Sequence, residues 1–143
     1  MKVIYSEIER IEEFVDIVRI RINVFTIEQK SKPGRELDKH DKAARHFIAI
    51  ANGKIVSAAR VRKSAESEFK IGRMATLKEY RKKGISRGLL KYIIKELLKI
   101  SPKRIWLQAQ VEAQMFYKNC GFKAISKPYI LWGKPHVDME FRV

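Results

Sequence analysis

The sequence predicts one α+β domain built on a mixed, mostly antiparallel central sheet flanked by helices. Three observations predict it. Asn52-Gly53 joins two apolar runs as a tight hairpin, and a third run follows after a polar turn, so three antiparallel strands stand in sequence. Ile85, Leu89, Ile93 and Leu97 then recur every four residues, with Leu90, Ile94 and Leu98 in the adjacent row, which is one long amphipathic helix. Near the end, Val137, Met139, Phe141 and Val143 alternate with polar residues, the pattern of a half-buried last strand. At 143 residues the chain suits a single domain, residues 1–143, able to bury roughly two thirds of its unfolded surface. It shows no internal repeat or low-complexity segment.

Taken in order, Lys2 to Tyr5 reads as a short first strand, and Ser6 with Glu9 three residues on reads as a capping box. A helical stretch follows, with Ile8, Ile11, Phe14, Val15, Val18, Ile22 and Phe25 near one face; it is long enough for two helices and ends near Gln29. Ser31-Lys32-Pro33-Gly34 is a loop signal, and the polar segment Arg35 to Arg45 is expected to run over the sheet. His46–Ala51 and Lys54–Arg62 are the hairpin strands; in the second, Ile55, Ser57, Ala59 and Val61 point one way, and Val56, Ala58 and Arg60 the other. Phe69 to Thr76 is the third strand. The long helix stops at Ser101-Pro102, because proline cannot continue it. Arg104–Gln108 reads as a strand, Val111–Cys120 as a short helix closed by Gly121, and Phe122–Ile125 as a further strand. Pro128 to Lys134 reads as a loop or irregular hairpin before the last strand, His136 to Val143.

The composition excludes several classes. No apolar run approaches the roughly 20 residues that span a bilayer, and MKVIYSEIER lacks the layout of a signal peptide. Cys120 is the only cysteine, so no intrachain disulfide forms, and a cytoplasmic setting is expected. No Cys/His grouping has zinc-site spacing, so no metal is expected. A net charge of +15 suits acidic partners, whether nucleic acid bound nonspecifically, an anionic membrane surface or a polyanionic cofactor, without choosing among them.

The junction between the third strand and the long helix narrows the choice. A helix start carries partial positive charge and favours acids in its first turn. Here Lys78, Arg81, Lys82, Lys83, Arg87, Lys91 and Lys95 crowd it, and Glu79 is the one acid between Lys78 and Lys95. Free amides, the helix dipole and added cations make an anion site, most simply for phosphate. No G-x-x-x-x-G-K-[ST] run is present, so the site is not a P-loop, and no G-x-G-x-x-G follows a strand.

The run Arg81-Lys82-Lys83-Gly84-Ile85-Ser86 resembles the Q/R-x-x-G-x-G/A signature of the GNAT acetyltransferase superfamily, departing at its last position, where Ser86 stands for Gly or Ala. Ala113 to Phe122 is similar to that family's A-x-x-F-Y-x-x-x-G-F segment, and the element order β-α-α-β-β-β-α-β-α-β-β agrees throughout. Val24–Gln29, Glu36–Asp38, His46, Gln108–Gln110 and His136–Met139 resemble the ElaA-like and YjcF-like branch. The resemblance implies helices on both faces of the sheet and acetyl-CoA as cosubstrate. It implies that Arg81, Lys82, Lys83, Gly84, Ile85, Ser86 and Arg87 hold the pyrophosphate, that Met74, Ala75 and Thr76 offer backbone amides to the pantetheine arm and acetyl carbonyl, and that Gln110 and Phe116 adjoin the cofactor.

By the same resemblance Tyr117 donates a proton to the leaving thiolate. The general base stays open among Glu28, Asp38, His46 and His136, with Glu28 and His136 taken as the catalytic candidates. Arg73 is placed either against a substrate acid or on an exposed face, Trp132 in a loop able to wall the acceptor pocket, and Cys120 at a helix end unsuited to a nucleophile. The expected activity is transfer of an acetyl group from acetyl-CoA to an unidentified primary amine in a ternary complex. The rival readings are a basic nucleic-acid-binding module or a non-catalytic acetyl-CoA binder; the sequence carries no RNP aromatic run, zinc finger or basic heptad. Oligomeric state is open, a homodimer included.

Overall fold

A computed structural model describes residues 1–143. Eight strands form one sheet: β1 (Val3–Glu7), β2 (Arg45–Ala51), β3 (Lys54–Ala65), β4 (Glu68–Thr76), β5 (Arg104–Gln110), β6 (Phe122–Ala124), β7 (Tyr129–Leu131) and β8 (Lys134–Phe141). The order is β1-β2-β3-β4-β5-β8-β6, with β7 also paired to β8, and only the β4–β5 pairing is parallel. This is the mixed, mostly antiparallel α+β architecture expected. Asn52 and Gly53 both take positive φ, 53° and 70°, as the two-residue hairpin demands.

Helices α1 (Ile11–Arg21) and α2 (Ile85–Leu98) cover opposite faces. Leu89, Leu90 and Ile93 of α2 join Phe47, Ala59, Val61 and Ile71 in the main core. Ile17 of α1 packs on Ile48 and Ala58 from the other side. The short helix α3 (Gln114–Asn119) leads into Cys120 and Phe122, which belong to the α2-side core. The helical stretch after α1 is not a second separate helix: Ile22–Glu28 continues it with wider π turns, a feature often found at functional sites.

Several expectations change. Ser6 lies inside β1, so it caps nothing; Arg10 is the N-cap, and Glu13 accepts hydrogen bonds from the Glu9 and Arg10 amides, each 3.0 Å. The buried face of α1 is Ile17, Ile20 and Arg21, while Ile11 and Val15 are 74% and 54% exposed. Apolar residues ring this helix, so the sequence offers two stripes. Arg21 can be buried because Asp41 pairs with it at 3.0 Å. The alternation read in β3 also breaks. A register shift against Ala49/Ile50 turns Ile55 toward the α1 side, while Ala59 faces α2. The Pro128–Lys134 stretch is a regular hairpin, β7 to β8, turned at Trp132 and Gly133 with φ of 55° and 75°.

Candidate active site

β4 and β5 pair over only four residues, Glu68–Ile71 with Arg104–Leu107. Beyond them β4 stays with β3 and β5 with β8, so the sheet splits. At the split β4 is bulged. Arg73 and Met74 together oppose the single residue Ala59, and Arg73 takes φ 50°. A bulge leaves one residue outside the ladder, which frees backbone groups for the gap. A cleft of about 390 Å³ opens there. Phe25, Gln29 and Arg35 line it from the α1 side, Met74 and Gln110 from the parted strands, and Ala113 and Tyr117 from the α3 side. The opening therefore passes through the sheet. Trp132 and Arg35 wall its mouth, the guanidinium 4.0 Å from the indole ring centre.

The basic loop lies beside the end of β4. Lys82 and Gly84 take positive φ, 59° and 78°, and Gly84 is the N-cap of α2 with no side-chain cap. Gly88 N–H is the first to bond back, to the Gly84 carbonyl at 3.0 Å, so the amides of Ile85, Ser86 and Arg87 have no intrahelical partner. Lys82, Lys83 and Arg87 are exposed around them. Three free amides, the positive helix end and these cations suit a pyrophosphate.

Tyr117 and His136 meet at the cleft from different elements. The Tyr117 ring packs edge-on against Phe116 and Phe122, which fixes its direction. Burial, then the neighbouring Cys120, pushes its phenol up to about 12, so it stays protonated at neutral pH. His136 is 7% exposed, faces Gln110 across β5–β8, and stacks on Tyr129. Its Nδ1 lies 2.9 Å from the Lys134 carbonyl oxygen. A carbonyl only accepts, so Nδ1 carries the proton and Nε2 of the neutral ring keeps its lone pair.

The family model described as "Acetyltransferase (GNAT) domain" matches residues 15–143. The chain belongs to the GNAT acetyltransferase family. Among curated relatives, the UPF0039 protein C11D3.02c of Schizosaccharomyces pombe is 34% identical over 136 residues, covering 93% of this chain and 90% of that protein. The N-acetyltransferase YjcF of Bacillus subtilis is 29% identical over 140 residues, covering 97% and 98%. The crystal structure of Escherichia coli ElaA superposes with a TM-score of 0.87 at 23% identity, covering 99% and 100% of the two chains. The protein is thus an acyltransferase of GNAT fold, similar to the branch its sequence resembles.

Within this GNAT domain the four candidate bases separate. Only His136 lines the cleft. Glu28 sits at the end of the π turns and pairs through both oxygens with Arg81, one contact 2.7 Å; these bonds hold its carboxyl below the usual range. Arg81 also donates to the Thr76 carbonyl at 3.0 Å, so its guanidinium clamps the loop to β4 and to Glu28. Asp38 is held by Arg60 and Arg73 at 2.6 and 3.2 Å. His46 is buried, with Nε2 2.9 Å from the Asp41 carbonyl oxygen and its ring edge-on to Phe14.

The other expected residues divide likewise. Met74 and Gln110 line the cleft. Ala75 is buried against Ile20 and Val24, and Ile85 is buried against Val56, so each offers only its backbone. Phe116 packs against the core beneath α3. Thr76 and Ser86 are joined side chain to side chain. Lys70, Arg60 and Arg62, which carry no sequence motif, also gather beside the cleft. A signal did exist: Arg62 stands directly opposite Lys70 in the β3–β4 register, and like charges facing across strands oppose pairing.

Proposed function

We propose that this chain transfers the acetyl group of acetyl-CoA to a primary amine by direct attack in a ternary complex. The observation that carries the reading is the split sheet. One cleft is lined from the α3 side by Tyr117 and from the α1 side by Phe25 and Gln29, so donor and acceptor can approach the same point from opposite faces. The free amides of Ile85, Ser86 and Arg87 suit the pyrophosphate, and the bulged stretch of β4 at Met74 suits the acetyl carbonyl, where a preorganised donor is worth a few kcal/mol.

The chemistry follows from the residues. His136 Nε2 takes a proton from the acceptor ammonium, directly or through water. The freed nitrogen bonds to the thioester carbonyl carbon, the C–S bond breaks with its electron pair leaving on sulfur, and the second proton that nitrogen must shed to become a neutral amide passes to the departing thiolate or to water. Tyr117 faces that sulfur as a hydrogen-bond donor. With its phenol at about 12, far above an ordinary thiol near 8.5, it stabilises the thiolate without surrendering its proton outright. Glu28, bound to Arg81, supports the loop instead of acting as base. Cys120 is buried and free, which fits a reducing, cytoplasmic setting.

The test is coenzyme A thiol release from acetyl-CoA across a panel of primary amines, paired with melting curves. Acetyl-CoA should raise the melting temperature with concentration, and acetyl-pantetheine, which lacks the pyrophosphate, should do much less. Equal or absent shifts with both compounds would remove the reading.

A further inference from the structure

On the α1 side, next to the cleft, lies a second pocket of about 120 Å³. Arg60, Arg62, Lys70 and Arg73 line it, and no acid does. Arg62 and Lys70 face each other in register, an arrangement that opposes strand pairing. Neither forms a salt bridge with an acid: Arg62 has no ion-pair partner, and Lys70 donates to the neutral Gln108 Oε1 at 2.6 Å. Asp138 lies near Lys70, but it accepts the Tyr129 hydroxyl. Asp38 and Asp41 are already shared among three guanidinium groups, those of Arg21, Arg60 and Arg73.

This is not a solvated basic face. Arg60 is only 5% exposed; its Nη1 reaches Asp38 and Asp41 at 2.6 and 3.2 Å, while its Nε is buried without any partner. Burial, then the charges of Arg62, Arg60 and Arg73, pulls the Lys70 ammonium below its usual range. Cations held partly out of water in excess of their acids are costly, and a bound anion would relieve them. Gly72, opposite Arg60, leaves the floor open: a Cβ there would meet nothing within 4 Å. The pocket and the cleft share Ile71, Gly72, Arg73, Gln108, Trp132 and His136. A small molecule anchored in the pocket therefore continues past the imidazole into the cleft.

Resting on the acetyl-transfer reading above, we propose that the acceptor is a primary amine that also carries an oxyanion, carboxylate or phosphate, bound by Arg60, Arg62, Lys70 and Arg73. The oxyanion takes no part in the covalent step: the amine nitrogen bonds to the acetyl carbon, sulfur leaves with the C–S pair, and the amine proton passes to His136. What the cationic pocket supplies is selection and orientation.

Two measurements test this. In the first, inorganic phosphate and acetate are titrated separately into the protein saturated with coenzyme A, which occupies the basic loop, and melting is followed at constant ionic strength. At least one anion should stabilise wild type and do so clearly less in Lys70→Gln. Arg62→Gln serves if Lys70→Gln does not fold. In the second, thiol release is compared for matched amines: an amino acid against its methyl ester, and an aminosugar phosphate against the free aminosugar. The anionic member of one pair should have kcat/KM at least about tenfold higher, chiefly through KM, and the substitutions should erase that preference while the acetyl-CoA melting shift persists. Preference in the first pair assigns a carboxylate, in the second a phosphate. No anion-dependent stabilisation, or an equal one in the variants, overturns the inference. So does equal kcat/KM within both pairs, which leaves acetyl transfer standing. Failure of acetyl transfer itself would appear separately, as loss of the pyrophosphate-dependent acetyl-CoA shift.

Discussion

The Ser86 hydroxyl lies 2.6 Å from the Thr76 hydroxyl, which lies 2.7 Å from that of Ser57, whose hydroxyl in turn donates to the Ala75 carbonyl at 3.1 Å. The one residue at which the basic loop departs from the family signature is therefore tied to β4. Its hydroxyl links the start of α2 to the strand that would carry the acetyl group. Ser86→Ala should leave Thr76 paired with Ser57 and cost only about 0.5–1.5 kcal/mol of stability, the usual net worth of one hydrogen bond. Acetyl-CoA affinity should change less than about threefold, since the amide of residue 86 remains. Calorimetric titration checks this; a tenfold loss would make Ser86 a direct phosphate ligand.

Gly84 should matter through its backbone. At φ 78° a side chain is strained, yet a Cβ there meets no protein atom within 4 Å. Gly84→Val should cost at least about 1–2 kcal/mol of stability from the left-handed conformation alone. It should also weaken acetyl-CoA binding, because a branched side chain would occupy the anion site. Melting curves with and without acetyl-CoA separate the two losses.

Tyr117→Phe keeps the ring contacts with Phe116 and Phe122 and removes only the hydroxyl. The acetyl-CoA melting shift should be nearly unchanged, and kcat should fall by roughly a hundredfold. Unchanged turnover with chemistry rate-limiting would assign the thiolate's donor elsewhere. Broad loss of stability would make Tyr117 a packing residue.

His136→Gln removes the basic nitrogen while keeping a polar side chain at the cleft. It should lower kcat/KM by about a hundredfold at neutral pH, and by less as pH rises and more acceptor arrives already deprotonated. A loss that stays constant across the pH range would show that His136 positions the acceptor without taking its proton.

Asp38 links stability to pH. Burial pushes its carboxyl up, but hydrogen bonds from Arg60 and the His40 amide, with the charge of Arg73, outweigh this and bring it from 3.8 down to about 2. A depressed carboxyl means the unfolded chain binds more protons, so stability rises with pH across this window. The contribution is complete above about pH 5, lost as pH falls through about 2, and at most about 2.5 kcal/mol. Denaturant titrations between pH 5 and 2 should show a drop that is smaller in Asp38→Asn.

The β2–β3 hairpin was legible in the sequence because Asn52-Gly53 can take two positive φ values cheaply. The long helix was legible from its four-residue spacing, and all of Ile85, Leu89, Leu90, Ile93, Ile94 and Leu97 are buried. The face of α1 was not, because its apolar residues ring the helix and the choice fell to Arg21 pairing with Asp41, twenty residues away. The sequence could name Glu28 and His136 as candidate bases but could not rank them. Their surroundings lie outside any local pattern: Arg81 reaches Glu28 across 53 positions, and β8 carries His136 to the cleft.

By itself, the sequence determined the β2–β3 hairpin, the long α2 helix with its basic start, and the family. These are local patterns, written in residue spacing and backbone preference. Only the tertiary structure decided where β4 and β5 part, that the cleft passes through the sheet, and that Arg60, Arg62, Lys70 and Arg73 share one pocket without an acid. Those facts depend on strand register and on which side chains distant in sequence neutralise one another, Arg21 with Asp41 and Arg60 with Asp38 among them.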